Sequence, residues 1–164
     1  MRKSIIAFFA ISFLAISTFS AFAETRGAIE LTSLAEKEVV VTDASGKAVK
    51  KLVAAEKVIP GDEIIYSVSF RHVSDKPAEN VVLDNPVPEH MIYVPGSAEG
   101  RDTSITFSVD GGKTYHPEKD LRVKKADGTY RPAMPEDYTG VRWTLKKAVR
   151  PGEKGRVSFK AKLK

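Results

Sequence analysis

Apolar and polar residues alternate along short stretches of this 164-residue chain, and this alternation restricts the fold more than any other feature. Within residues 64–71, one face of an extended chain carries only apolar side chains, namely Ile64, Tyr66, Val68 and Phe70. The final residues, 156–164, alternate in the same way. No longer window carries the apolar stripe of an amphipathic helix. A period of two is typical of strands that bury one face.

Turn sequences rich in glycine, proline and aspartate separate the alternating stretches, at 43–46, 60–62, 95–97, 110–112, 127–128 and 151–152. Strands are therefore predicted at 29–34, 38–42, 49–54, 64–71, 80–84, 91–94, 104–109, 121–125, 141–145 and 156–164. A helix over 34–39 would be too short to matter, and 132–137 is expected to be a loop. This spacing of strands and turns predicts an all-β, antiparallel sandwich.

The first 23 residues have the pattern of a secretory signal peptide. Arg2 and Lys3 precede an apolar run over 5–16, and Ala21-Phe22-Ala23 offers small residues for cleavage. The alternative, an uncleaved anchor, requires about 20 apolar residues, and serines and threonines interrupt this run. We therefore expect cleavage after Ala23 and a single β-sandwich domain over 24–164, located in the periplasm or secreted.

Charge and cysteine content exclude several classes of function. Cleavage leaves 24 basic and 21 acidic side chains, a net charge of +3 that gives little support to a nucleic acid partner. No segment after residue 23 is apolar enough to span a bilayer. Because the chain has no cysteine, a thiol nucleophile, an iron–sulfur cluster, a thiolate zinc site and a lipidated N-terminal cysteine are excluded.

Residues 58–68, 77–88 and 91–97 carry a resemblance that is strongest over 56–98. These stretches resemble a bacterial family of conserved surface repeats, the domain of unknown function eleven. The resemblance implies an immunoglobulin-like sandwich. It also implies a location in the bacterial envelope, where members of the family serve as spacers or interaction modules.

Residues 108–115 resemble the Asp-box turn of sialidase-type propellers. In such turns the aspartate, here Asp110, accepts backbone hydrogen bonds while an aromatic residue packs beneath it. A propeller needs at least four blades, for which the chain is too short. The motif therefore predicts a stabilised hairpin and no sialidase.

No pattern in the chain predicts catalysis, a metal or another cofactor. No serine has the glycines of a nucleophile elbow, and His72, His90 and His116 lack metal-ligand spacing and are expected in solvated loops. Paired carboxylates for glycoside hydrolysis would need a cleft that a sandwich with short loops rarely offers. A Lys–Asn isopeptide crosslink through Asn80 or Asn85 stays open, although both positions favour turn or strand-end roles.

The last strand presents a basic stripe formed by Arg156, Lys160, Lys162 and Lys164, with Lys146, Lys147, Arg150 and Lys154 just before it. These residues can attract an anionic envelope polymer. The favoured interpretation is that lysines on a terminal strand prevent edge-to-edge pairing. Tyr93 and Trp143 are expected in the core or at its rim, the alternative being a platform that stacks on sugars.

Three hypotheses follow for the function. The first is a non-enzymatic exported module that binds another envelope protein or has a structural role there. The second is a carbohydrate or anionic-polymer binder that uses the basic stripe with Tyr93, Tyr115, Tyr138 or Trp143. The third is a small hydrolase.

Overall fold

The computed structural model describes residues 28–164, so the predicted signal peptide at 1–23 lies outside the described residues. The described chain forms eleven strands: β1 Ile29–Thr42, β2 Ala48–Ala54, β3 Glu63–His72, β4 Val82–Pro86, β5 Met91–Tyr93, β6 Glu99–Gly100, β7 Thr103–Ser108, β8 Arg122–Lys124, β9 Tyr130–Pro132, β10 Gly140–Leu145 and β11 Lys154–Leu163. Two single-turn 3₁₀ helices, Glu118–Asp120 and Pro135–Asp137, complete the elements. No helix within 28–164 is long and apolar enough to cross a membrane.

The strands form two main sheets in which every pairing is antiparallel. The large sheet has the order β2-β1-β3-β11-β5, with β6 also paired to β11, and the small sheet has the order β4-β10-β7. Strands β8 and β9 form a separate hairpin. The predicted all-β antiparallel sandwich is confirmed.

The core lies between the small sheet and only one part of the large sheet. Alternate residues of β3 and β11 are buried, as the period-two pattern predicts, and they pack with residues of β4, β5, β7 and β10. Aromatic rings fill the centre: Tyr93 stacks on Tyr138 at 4.8 Å between ring centroids, and Trp143 lies 6.4 Å from Phe159. Burial of these large side chains is the main stabilising contribution.

Strand β11 lies inside the large sheet, which corrects one expectation. It pairs with β3 on one side and with β5 and β6 on the other. The interpretation that its lysines protect a free edge is therefore wrong. Being last in the sequence does not make a strand an edge strand, because the pairing of distant strands decides its place in the sheet.

Strand β1 also differs from the expectation. The two runs predicted at 29–34 and 38–42 form one continuous strand of 14 residues, with no helix over 34–39. Strand β3 pairs with residues 29–37 of β1 on one side and β2 pairs with residues 36–42 on the other, so only Glu36 and Lys37 have strand partners on both sides. None of its residues is buried, and only Ile29 packs against the core.

Candidate interaction surfaces

Strands β1 and β2 extend the large sheet beyond the small sheet, and we call this two-stranded region the wing. Several of its apolar side chains are well exposed: Leu31, Leu34, Val40, Val41 and Leu52. Val40 keeps 68% of its surface in contact with solvent and Leu31 keeps 56%. No residue of the wing is buried, so both of its faces are largely exposed within residues 28–164.

One face of the wing continues the face of β3 that carries the core. Leu31 of β1 lies opposite Phe70 of β3, and Ala35 lies opposite Tyr66. The same face of β2 carries Val53. An apolar face thus runs from the core onto the wing, where it ends in solvent.

The outer edge of β2 is unpaired within the described chain. Two hydrogen bonds show which residues of β1 and β2 form hydrogen-bonded pairs. Ala55 N donates to Ala35 O at 3.0 Å, and Asp43 N donates to Lys47 O at 2.9 Å. Because hydrogen-bonded pairs recur at every second residue, the odd-numbered residues of β2 bond to β1. The backbone groups of the even-numbered residues, Ala48, Lys50, Leu52 and Ala54, consequently point away from the sheet.

A second surface is a basic cleft of about 680 Å³ at the end of the sandwich where β10 finishes and β11 begins, here called the end cleft. Its cationic side chains are Arg101, Lys147, Arg150, Lys154 and Arg156. Its acidic ones are Asp102 and Glu153. The lining also includes the buried side chains of Phe70, Val149 and Val157.

The two carboxylates of the end cleft are already engaged. Asp102 pairs with Lys147 at 3.4 Å, and Glu153 Oε2 accepts a hydrogen bond from the backbone N–H of Arg150 at 2.9 Å. Arg156 pairs with Glu36 of β1 at 2.7 Å. Among residues 28–164, no carboxylate pairs with the side chains of Arg101, Arg150 or Lys154. The cleft therefore keeps a surplus of positive charge.

The basic surface continues onto the outer face of the large sheet. A hollow of about 590 Å³, here called the outer hollow, shares Phe70, Lys154, Gly155 and Arg156 with the end cleft. It adds Arg71 and Glu30 to the lining. Arg71 lies directly opposite Lys154 in the β3–β11 ladder, although like charges in that position are unfavourable.

The structure separates the residues of the predicted basic stripe. Arg156 lines both the end cleft and the outer hollow. Lys160, Lys162 and Lys164 follow along the strand toward its other end, and Lys162 faces Glu63 across the ladder. Arg156 is joined in the end cleft by three residues that precede the stripe in sequence, Lys147, Arg150 and Lys154. Arg71 and Arg101 carry no signal in the sequence, because only strand pairing brings them to this end of the sandwich.

The predicted aromatic candidates do not form a sugar-binding platform. Tyr93 is 1% exposed and Trp143 is fully buried, so both lie in the core, as the first interpretation expected. Tyr138 is buried as well. The guanidinium of Arg142 covers the ring of Tyr115 at 3.8 Å from its centroid. The prediction of Tyr93 and Trp143 as surface binding residues is therefore wrong, because their rings fill the space between the sheets.

The turn at 108–115 has the structural role that its sequence predicts. Asp110 accepts hydrogen bonds from the Thr114 hydroxyl at 2.7 Å and from the backbone N–H groups of Lys113 and Thr114 at 3.0 Å. The Ser108 hydroxyl donates to it at 2.8 Å. The Thr114 hydroxyl is the largest cause of a strongly lowered pKa of Asp110. The Asp110 carboxylate therefore stabilises the turn.

The three histidines do not share one environment. His90 and His116 are exposed, as expected, whereas His72 is 1% exposed at the end of β3. The expectation of a solvated loop is wrong for His72, because the alternation of β3 turns position 72 toward the core. Neither ring nitrogen of His72 has a hydrogen-bond partner in the described chain. No group of three or more His, Asp or Glu side chains within 28–164 is arranged to hold a metal ion.

No protein-family model matches this sequence, and no curated protein shows a significant match to it. The resemblance to the surface-repeat family over 56–98 therefore stays a prediction, as do export, location and the single domain over 24–164. The described fold supplies two surfaces for functional interpretation, the wing and the basic end of the sandwich.

Proposed function

We propose that this chain is an exported, non-enzymatic β-sandwich that acts as a protein-interaction module of the bacterial envelope and binds its partner through the wing. The observation that carries the proposal is that β1, a strand of 14 residues, buries none of them. A strand in a closed sandwich normally buries every second side chain. The wing has the apolar residues for such a face but no second layer over it.

The apolar side chains of the wing favour a protein partner. Leu31 and Val41 lie on the face that continues the core, and Leu34, Val40 and Leu52 lie on the other face. Removing apolar surface from water favours association with a partner. Large exposed apolar patches on proteins mark interaction sites.

The free edge of β2 indicates how the partner binds. The outward backbone groups of Lys50 and Leu52 can pair with an extended segment, which would add a strand to the large sheet. Lys47 and Lys51 form no ion pair in the described chain, so they favour a segment that carries acidic side chains. The proposed partner is therefore an envelope protein with an exposed, acidic, extended segment.

Site-specific crosslinking in the exporting bacterium tests this proposal. A photoreactive residue replaces Lys51 on the wing. As a control, it replaces Lys113 in the turn at 108–115, outside the wing. We expect position 51 to crosslink to one envelope protein and position 113 to give no such product. Equal products from the two positions, or products only between copies of this chain, would overturn the proposal.

A matched pair of variants separates strand addition from other contacts. Leu52→Pro removes an N–H group that points away from β1, whereas Leu52→Ala keeps that N–H and shortens the side chain. We expect the crosslink from position 51 to disappear with Leu52→Pro and to persist with Leu52→Ala. Thermal unfolding of both variants checks that the sandwich is intact. A crosslink that survives Leu52→Pro unchanged would contradict strand addition.

A further inference from the structure

We infer that the end cleft and the outer hollow together form a binding site for a linear polyanion, a polymer that carries repeated phosphate or carboxylate groups. The inference does not depend on the proposed protein partner, although Glu30 of the wing also lines the outer hollow. It rests on the arrangement of charge at the junction of β10, β11 and β3.

Cationic side chains outnumber acidic ones along this surface. The cations are Arg71, Arg101, Lys147, Arg150, Lys154 and Arg156, and the carboxylates are Glu30, Asp102 and Glu153. Asp102 and Glu153 are held by partners within the cleft. Glu30 lies opposite Arg71 in the β1–β3 ladder, yet the two form no ion pair. Lys147 is paired with Asp102 and Arg156 with Glu36, so an oxyanion that enters meets four cations that no carboxylate of residues 28–164 pairs with: Arg71, Arg101, Arg150 and Lys154.

The cross-strand pair of Arg71 and Lys154 strengthens the case. Two cations placed directly opposite each other destabilise a sheet, so this pair does not serve the stability of the fold. A bound oxyanion between them would turn the repulsion into two attractive contacts. The pair lines the outer hollow, and Lys154 also lines the end cleft.

The shape of the surface favours a polymer over a single ion. The two depressions share Lys154, Gly155 and Arg156, so they form one track that crosses from the end of the sandwich to the outer face of the sheet. Its cations are exposed, and an exposed charge pair contributes little by itself. A polymer engages several of them at once, so these weak contacts add up.

The side chains also suit oxyanions chemically. Guanidinium groups bind phosphate and carboxylate through two parallel hydrogen bonds, and the track contains Arg71, Arg101, Arg150 and Arg156. Buried Val149 and Val157 contribute to the lining of the cleft. Low-polarity walls of this kind concentrate the positive field on a bound anion.

Binding to the exported protein, measured by fluorescence anisotropy with labelled probes, tests the inference. The probes are long-chain polyphosphate and polygalacturonate, which distinguish phosphate from carboxylate polymers, and unlabelled orthophosphate serves as a monomeric competitor. We expect at least one polymer to bind. Its binding should weaken as salt is added, and orthophosphate at an equal concentration of phosphate groups should not displace it. Failure of both polymers to bind at low salt would overturn the inference.

Two charge-reversal variants distinguish the effect of cations within the track from the effect of the net charge of the protein. Arg101→Glu/Arg150→Glu alters the end cleft, whereas Lys113→Glu/Lys119→Glu makes the same change in net charge near the opposite end of β10. All four side chains are exposed, so both proteins are expected to fold. We expect the first variant to weaken polymer binding by about tenfold or more and the second to change it less than about threefold. Equal weakening would show that only net charge matters and would contradict a site.

A third variant separates this inference from the proposed function. Leu52→Pro alters the edge of the wing and leaves every residue of the track in place. We expect polymer binding by this variant to match that of the unaltered protein. Loss of binding with Leu52→Pro would contradict the track as the site, whereas loss of the crosslink at position 51 alone would concern the protein partner.

Discussion

Phe70 of β3 and Gly155 of β11 lie directly opposite each other, and the tip of the Phe70 ring occupies the space that a side chain at position 155 would need. An added β-carbon would overlap two atoms of that ring and lie in tight contact with a third. Both residues line the end cleft and the outer hollow. This close packing therefore connects the core to the basic surface.

Gly155→Ala is expected to lower the free energy of unfolding by about 1–3 kcal/mol, because the Phe70 ring must shift within a packed core. Urea denaturation of the variant measures this loss. The same substitution in a Phe70→Leu background should cost less, since the ring tip is then absent, and a double-mutant cycle isolates that difference. An equal loss of stability in both backgrounds would show that the strain does not come from the Phe70 ring.

The alternation of side chains predicts the sandwich but not its extent. Strands β3 and β11 bury alternate residues, so their period of two was sufficient to identify them. Strand β1 pairs with β3 over 29–37 and with β2 over 36–42 but has no core beneath most of it, so its pattern was ambiguous around residues 34–38. Burial, which produces the periodic signal, is missing there.

The basic end of the sandwich was only half predictable. Arg150, Lys154 and Arg156 are close in sequence, so their charge was visible as a cluster. Arg71 joins them because β3 pairs with β11, and Arg101 joins because the turn before β7 reaches the end of β10. Such proximity depends on strand order and register, which a single sequence does not specify.

Asp110 is expected to make the stability of the protein depend on acid pH. Its hydrogen bonds to Thr114, Lys113 and Ser108 hold its pKa in the folded protein well below the value of about 3.9 found in unfolded chains. A lowered folded-state pKa stabilises the protein above the unfolded pKa, and this contribution is lost as the pH falls toward the folded one.

Asp110→Asn should therefore be less stable than the unaltered protein at neutral pH and should lose less stability between about pH 5 and pH 2. Thermal unfolding at a series of pH values provides the comparison. Asp120→Asn makes the same substitution at an exposed aspartate and serves as the control, and it should leave the stability at neutral pH close to that of the unaltered protein. Parallel curves for Asp110→Asn and the unaltered protein would argue against the role assigned to Asp110.

His72 carries two ring nitrogens without hydrogen-bond partners in the described chain, although its side chain is buried. An unsatisfied buried polar group is unfavourable, so His72→Leu is expected to raise the free energy of unfolding by about 1 kcal/mol. Chemical denaturation measures the change. His116→Leu makes the same substitution at an exposed position and should be close to neutral. A loss of stability with His72→Leu would indicate that the imidazole has a partner such as a buried water.

Trp143 is the only tryptophan of the chain and is fully buried between the sheets, so its fluorescence reports directly on the core. In the folded protein, acrylamide should quench its emission weakly, and unfolding in urea should shift the emission to longer wavelength and increase the quenching. Because its ring has no free face, soluble glycans should leave the emission spectrum unchanged. Strong quenching in the folded protein, or a spectral shift on adding a glycan, would contradict the core position and restore Trp143 as a residue that stacks on sugars.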